Sequence, residues 1–392
     1  MAQIRSAIAD DFSITDGGPL HGLLVLLGHA GSERRLVLRR ALAAVVITWV
    51  PLLLLSLMHG LAWKREVNIP FLRDLAVNVR LLIAVPILIV AESRIDRRWK
   101  RLVQEFLKSE LVNRETLPRF EAVLKHTMRW RDRVLPEALM AAGSLLPSFF
   151  FVKTELLMTG ISNWHSLPSG AVSPAGWWFN LVCTPIFRFL LLRWVWRMFL
   201  WTSLLWRVSR LNLFLVATHT DLAAGLGFLS EGQKAFSPIV FAGGAVIAAE
   251  VGNAVAYQGQ VLSSLKFPMI TYGILATLCL VVPLLVVAPV LLKIKRKALL
   301  EYGAQVAIHN QLFDLKWIRG DHPRGETLLG NSDASSLAHL GSAFTVVRQM
   351  HIVPIDKPTL LTLAISAALP MLPVVLYATP VPELIHMLKM LG

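Results

Sequence analysis

The sequence predicts an all-α polytopic membrane bundle of about seven transmembrane helices, N-terminus in the cytoplasm, with a cytoplasmic helical layer beneath the membrane. Three observations carry that expectation. The 392 residues are 55% hydrophobic and 16% charged, with mean hydropathy +0.58, which excludes a soluble enzyme built around one core. Seven separate stretches are apolar over a spanning length. Lys and Arg fall 29 to one side of those stretches and 5 to the other, the asymmetry that orients membrane proteins.

Taken in order, residues 1–40 form a cytoplasmic leader whose one apolar patch, His21 to Leu27, is too short to span. The first long apolar run starts only near Ala41, so no cleaved signal is expected. A hydrocarbon layer of ~30 Å needs ~20 apolar residues in a helix. The stretches that meet this are Ala41 to Trp63, Leu75 to Ala91, Ala138 to Thr159, Trp178 to Leu200, Pro238 to Gln260, Ile270 to Leu292 and Thr359 to Thr379. They divide the chain into spans one and two (41–92), a basic cytoplasmic segment (93–136), spans three to six (137–292), a second cytoplasmic segment (293–358), and span seven with an outer C-terminus (359–392). Most contain proline, which membrane helices tolerate as kinks. No internal repeat is legible.

The cytoplasmic segments carry helical periodicity. Trp99, Leu102, Val103 and Phe106 share one face, so the second span is expected to run on beyond the bilayer. Leu299, Tyr302, Val306, Phe313 and Trp317 extend the sixth in the same way, and Asp333 to Met350 reads as a further helix. Trp63, Trp164, Trp177 and Trp178 are assigned to the outer interface, Trp201 and Trp206 to the inner. Cys183 and Cys279 lie in apolar runs and read as buried hydrophobes, not as disulfide or zinc partners.

The ionisable residues inside the spans carry the functional expectations. Glu250 sits midway along the fifth span, where a carboxylate costs ~2.5–3.5 kcal/mol on insertion scales. Helical spacing puts Asn253 and Tyr257 on its face, as candidate pore or ion-site residues, and a Gly244, Ala248, Gly252, Ala256 ladder opposite, suited to close helix packing. Arg188 of the fourth span lies at matching depth and is expected to pair with Glu250, while Arg193 and Arg197 reach towards lipid head groups. Arg80, Lys153 and Glu155 line an outer vestibule or snorkel to the interface. Thr218, His219, Asp221, Gly225 and Gly227 form an interfacial loop. There, His219 and Asp221 offer acid–base or metal chemistry, or Thr220 or Asp221 starts a short helix that the glycines end, and Ser230 with Gln233 makes a capping box for the fifth span. One His with one carboxylate makes no metal site, and no metal or cofactor is expected.

Three runs, residues 215–229, 299–303 and 335–344, resemble those of a family of uncharacterised bacterial multi-spanning membrane proteins, with Thr220 standing where its members carry proline. The resemblance implies a bacterial inner-membrane address and no activity. Together these readings lead to an oligomeric ion channel or small-solute transporter using Glu250, with anionic lipid bound at the basic helices and no nucleic-acid partner. A lipid-acting enzyme using His219 and Asp221, and a sensor or assembly scaffold, are the alternatives.

Overall fold

The structure, a computed structural model, describes residues 6–19, 22, 34–63, 67–150, 162–167, 170–320, 328 and 332–378. Among these, every extended element is helical, and β pairing is limited to two isolated bridges, Ile69 with Asn163 and Ser166 with Val172. Six helices are long and apolar enough to cross a membrane: Arg35–Met58, Leu75–Lys108, Pro174–Val208, Phe228–Gln258, Leu262–Leu285 and Lys357–Ala378. They match the first, second and fourth to seventh predicted stretches, and are named here by those ordinals. The third stretch is described only in part, as the helix Val134–Phe150.

The elements run α1 (Ala7–Asp10), α2 (Arg34–Met58), α3 (Leu75–Val79), α4 (Val85–Lys108), α5 (Leu117–Arg131), α6 (Val134–Phe150), α7 (Pro174–Trp178) and α8 (Thr184–Val208). Then follow α9 (Phe228–Lys234), α10 (Ser237–Gln258), α11 (Leu262–Leu285), α12 (Ala288–Phe313), α13 (Ser332–Gln349), α14 (Lys357–Ala368) and α15 (Leu372–Ala378). Segments 67–74 and 162–167 meet at one end of the bundle, called the upper end. The extension of α4, together with α5 and loop 209–227, forms the lower end.

Spans two and four share one design that residue identities hide. Asp74 caps α3 by accepting from Val77 N, and Ser173 caps α7 by accepting from Gly176 N. Each five-residue α turn leads into a five-residue π-helical turn, Arg80–Ala84 or Phe179–Cys183. Each π turn is followed by a long helix with proline at its second residue, Pro86 or Pro185. Proline supplies no N–H to the preceding turn and its ring crowds the carbonyl there, so the widened turn has a local cause. Each span also packs on the helix before it, α4 on α2 and α8 on α6.

The core is continuous from the upper loops to the lower end. Trp99, Leu102, Val103 and Phe106 are all buried, as their periodicity requires, and Trp99 stacks on Trp201 with ring centroids 5.2 Å apart. Four expectations need correction. Trp201 and Trp164 are fully buried core residues rather than interfacial anchors, because each ring finds aromatic neighbours inside the bundle. Cys279 is exposed on the outer side of α11. The sixth span begins at Leu262 and stops at Leu285, and the extension that follows is a separate helix, α12, started at Ala288 with Pro289 in its first turn. No capping box forms at Ser230: its hydroxyl bonds Asp356 and lies 2.7 Å from the Thr359 hydroxyl, while Gln233 is fully buried.

The small-residue ladder of α10 faces the seventh span. A Cβ on Gly244 would stand 2.6 Å from the Ala367 carbonyl, closer than any side chain fits. That contact lets α10 and α14 pack backbone to backbone.

Candidate functional site

Polar residues converge at the upper end, where span two begins. Asp74 organises them. Its Oδ1 accepts from Val77 N at 3.1 Å and from Asn253 Nδ2 at 2.8 Å, and its Oδ2 accepts from Trp164 Nε1 at 2.8 Å. The Asn253 carbonyl accepts from Leu75 N at 3.0 Å, and the Tyr257 hydroxyl donates to the Arg73 carbonyl at 3.0 Å. One carboxylate thus joins the start of span two, the end of span five and the loop before span four.

Just below lies the ion pair of the site. Arg80 Nη2 donates to Glu250 Oε1 at 2.7 Å, with side chains 19% and 50% exposed. Arg80 is the first residue of its π turn, and its guanidinium lies over the rings of Phe179 (5.8 Å) and Phe187 (5.5 Å) from span four. Glu250, Asn253 and Tyr257 therefore share the predicted face, but that face meets span two. The expected Arg188–Glu250 pair is not formed: Arg188 Nη1 turns instead to Ser148 Oγ of α6 at 3.3 Å, because span four packs on α6 there. Lys153 and Glu155 lie outside the described residues.

Near the lower end, Glu92 stands between Arg197 (2.8 Å) and Arg193 (3.3 Å). Both arginines are buried, at 3% and 8% exposure, so they are inward-facing partners of a carboxylate and do not reach lipid head groups.

Loop 217–227 is a knot of backbone around Asp221. The carboxylate accepts from Ala223 N (2.9 Å), Gly225 N (3.1 Å) and Gly227 N (2.7 Å), and His219 Nδ1 lies 2.8 Å away. Burial alone would raise its pKa. The three N–H donors and His219 outweigh that and hold it below the usual carboxylate value. The carboxylate supports left-handed backbone at Leu222 (φ 55), Ala224 (φ 55) and Gly225 (φ 94). Gly227 has no room for a side chain, since a Cβ would sit 2.9 Å from Asp221. Thr218 is half-buried in the same turn, and His219 is exposed. No helix forms between 217 and 227, so the capping role is real but serves a loop. With its oxygens given to backbone N–H groups, Asp221 is poorly placed for acid–base chemistry. Among the described residues, no group of three His, Cys, Asp or Glu side chains is placed to hold a metal ion.

Sequence reasoning missed Asp74, Glu92 and His165. An Asp immediately before an apolar run is an N-cap signal and marked Asp74. Glu92 and His165 carry no comparable sign, since only helix adjacency gives them partners.

No protein-family model, curated protein or solved structure matches this chain.

Proposed function

We propose that this integral membrane protein moves an ion or small solute across the bilayer, with Arg80 and Glu250 as the charged pair on its route. One observation carries the reading: a buried-side guanidinium and a half-exposed carboxylate are joined at a π turn, in a helix that is otherwise regular. Intramembrane charges persist where they serve a pathway, and π turns gather at working sites. Paired, the two charges keep each other neutral; parted, each offers a site of its own sign. The basic lower end is cytoplasmic in this reading and the Asp74 end faces outwards, in keeping with the Lys and Arg asymmetry. A seventh span in residues 138–159, a cytoplasmic helical layer that binds anionic lipid, homo-oligomeric assembly and a bacterial inner-membrane address belong to the same proposal.

The test is flux of candidate ions into liposomes holding wild type or Glu250→Gln. Altered flux in the variant supports the reading, and wild-type flux in the variant removes Glu250 from the route. The lipid-enzyme alternative loses ground because Asp221 is committed to its loop.

A further inference from the structure

Spans six and seven, α11 and α14–α15, both pack on α10. Between them opens a groove of about 1050 Å³. Met269 and Met371 form its floor, buried together with Ala248 and Val251 of α10. The gap is left where small residues stand on either wall: Gly273 on α11, where an added Cβ would meet no atom within 4 Å, and Ala364 and Ala368 on α14.

The chemistry of the groove changes along its length. Ser263, Lys266 and Thr277 are the polar side chains that line it, and no acidic side chain does. The Thr277 hydroxyl donates to the Gly273 carbonyl of its own helix at 2.8 Å, which leaves Ser263 and Lys266, one turn apart at the upper end, to face a ligand. Val261 gives the start of α11 no side-chain cap, and no acid stands in its first turn. A lysine close to the positive end of a helix dipole, on walls that hold no acid, is set to receive an anion. Below it the groove is apolar. From Lys266 to Leu278 the helix rises ~18 Å, about one leaflet of a ~30 Å hydrocarbon layer. The groove stops there, although α11 continues to Leu285 and α14 starts lower still, at Lys357.

We propose that this groove binds an anionic phospholipid from the leaflet at the upper end, its phosphate on the Lys266 ammonium and Ser263 hydroxyl and one acyl chain lying over Met269, Gly273 and Met371. Such a lipid brings negative charge to the one end that lacks it and hydrocarbon to the rest. A second copy of this chain matches less well, because a partner helix crosses the whole layer and the groove ends at mid-depth. So placed, the lipid wedges spans six and seven apart and rests, through the two methionines, on the helix that carries Glu250.

The test is native mass spectrometry of the full chain in detergent with added phosphatidylglycerol or phosphatidylcholine. Wild type is expected to retain one phosphatidylglycerol in preference to phosphatidylcholine. Its affinity should fall about fivefold in Lys266→Gln and return in Lys266→Arg. In Gly273→Leu, whose side chain fills the groove, it should fall about tenfold or more. A phosphatidylglycerol with a photoactivatable group midway along one chain should label wild type within 269–278 or 364–375. Equal phosphatidylglycerol binding by wild type and both loss variants, or labelling confined to other spans, overturns the proposal. So does a dimer of wild type that Gly273→Leu abolishes while lipid binding persists, since a second copy then fills the groove. Lys266 is exposed, so its two variants keep the test decisive should Gly273→Leu not fold. No flux is measured, so failure here is distinct from failure of the Glu250 experiment.

Discussion

Arg80 and Phe179 occupy the same position, the opening residue of the π turn, in two spans of one design, and the Arg80 guanidinium lies 5.8 Å from the Phe179 ring centroid. The two π turns therefore meet, and the charge of one span rests on the aromatic face of the other. Glu250 closes the arrangement from a third helix.

That geometry predicts coupling between Arg80 and Glu250. Either single change, Arg80→Gln or Glu250→Gln, strands a charge, whereas the double variant strands none. The double variant is expected to recover about 1 kcal/mol or more relative to the sum of the singles, a modest figure because Glu250 is half exposed. Thermal unfolding of the four proteins in one detergent measures it. Strict additivity would show that the contact contributes nothing.

At the lower end the expected effect is larger. Glu92→Gln leaves two buried guanidinium groups without their shared carboxylate, while Arg193→Gln leaves Glu92 with Arg197. Loss of the acid is expected to cost about 3–5 kcal/mol and loss of Arg193 clearly less, by the asymmetry of broken buried pairs. Expression and unfolding temperature of the two variants check the order.

Loop 217–227 is predicted to depend on one carboxylate. Asp221→Ala removes the acceptor for three backbone N–H groups, at about 1.5–3 kcal/mol for a charged hydrogen bond of this kind. Gly227→Ala drives a methyl against the same side chain. Faster amide exchange across 222–227 in both variants, with the spans unaffected, is the outcome to look for.

His165, its ring packed on Trp164 and Phe179 with both nitrogens shielded from solvent, sets a pH dependence of stability. Its pKa is depressed in the fold, to about 4 from an ordinary 6.5, so as pH falls the unfolded chain takes up a proton before the folded one does. Stability should therefore decline between those two values and level off below the lower one. In His165→Gln that part of the slope disappears. An unchanged slope in the variant would assign it to other groups.

Much of the bundle was legible. Hydropathy located the spans because lipid leaves the backbone few choices, and the spacing of Trp99, Leu102, Val103 and Phe106 correctly announced a helix running on past the apolar stretch. Glu250, Asn253 and Tyr257 share the face that helical spacing gives them. What that face meets was not legible: depth along a helix can be read from a sequence, but lateral neighbours depend on packing between all the spans, so Arg80 rather than Arg188 became the partner. The common design of spans two and four escaped for a similar reason. It lies in a cap, a widened turn and a proline, while Leu81 and Asn180, or Val85 and Thr184, share no chemistry at matching positions.

A π turn holds one residue more than the α turn it replaces, so the two halves of span two are set out of phase by ~100°. Rewinding Arg80–Ala84 as an ordinary α turn with no residue removed would swing everything below it about the axis by ~100°. Glu92 would then turn away from Arg197, and Trp99 from Trp201, although neither had been altered. The surplus residue works as an angular spacer: it lets a single continuous helix address one set of neighbours near the Asp74 end and a different set at the basic end.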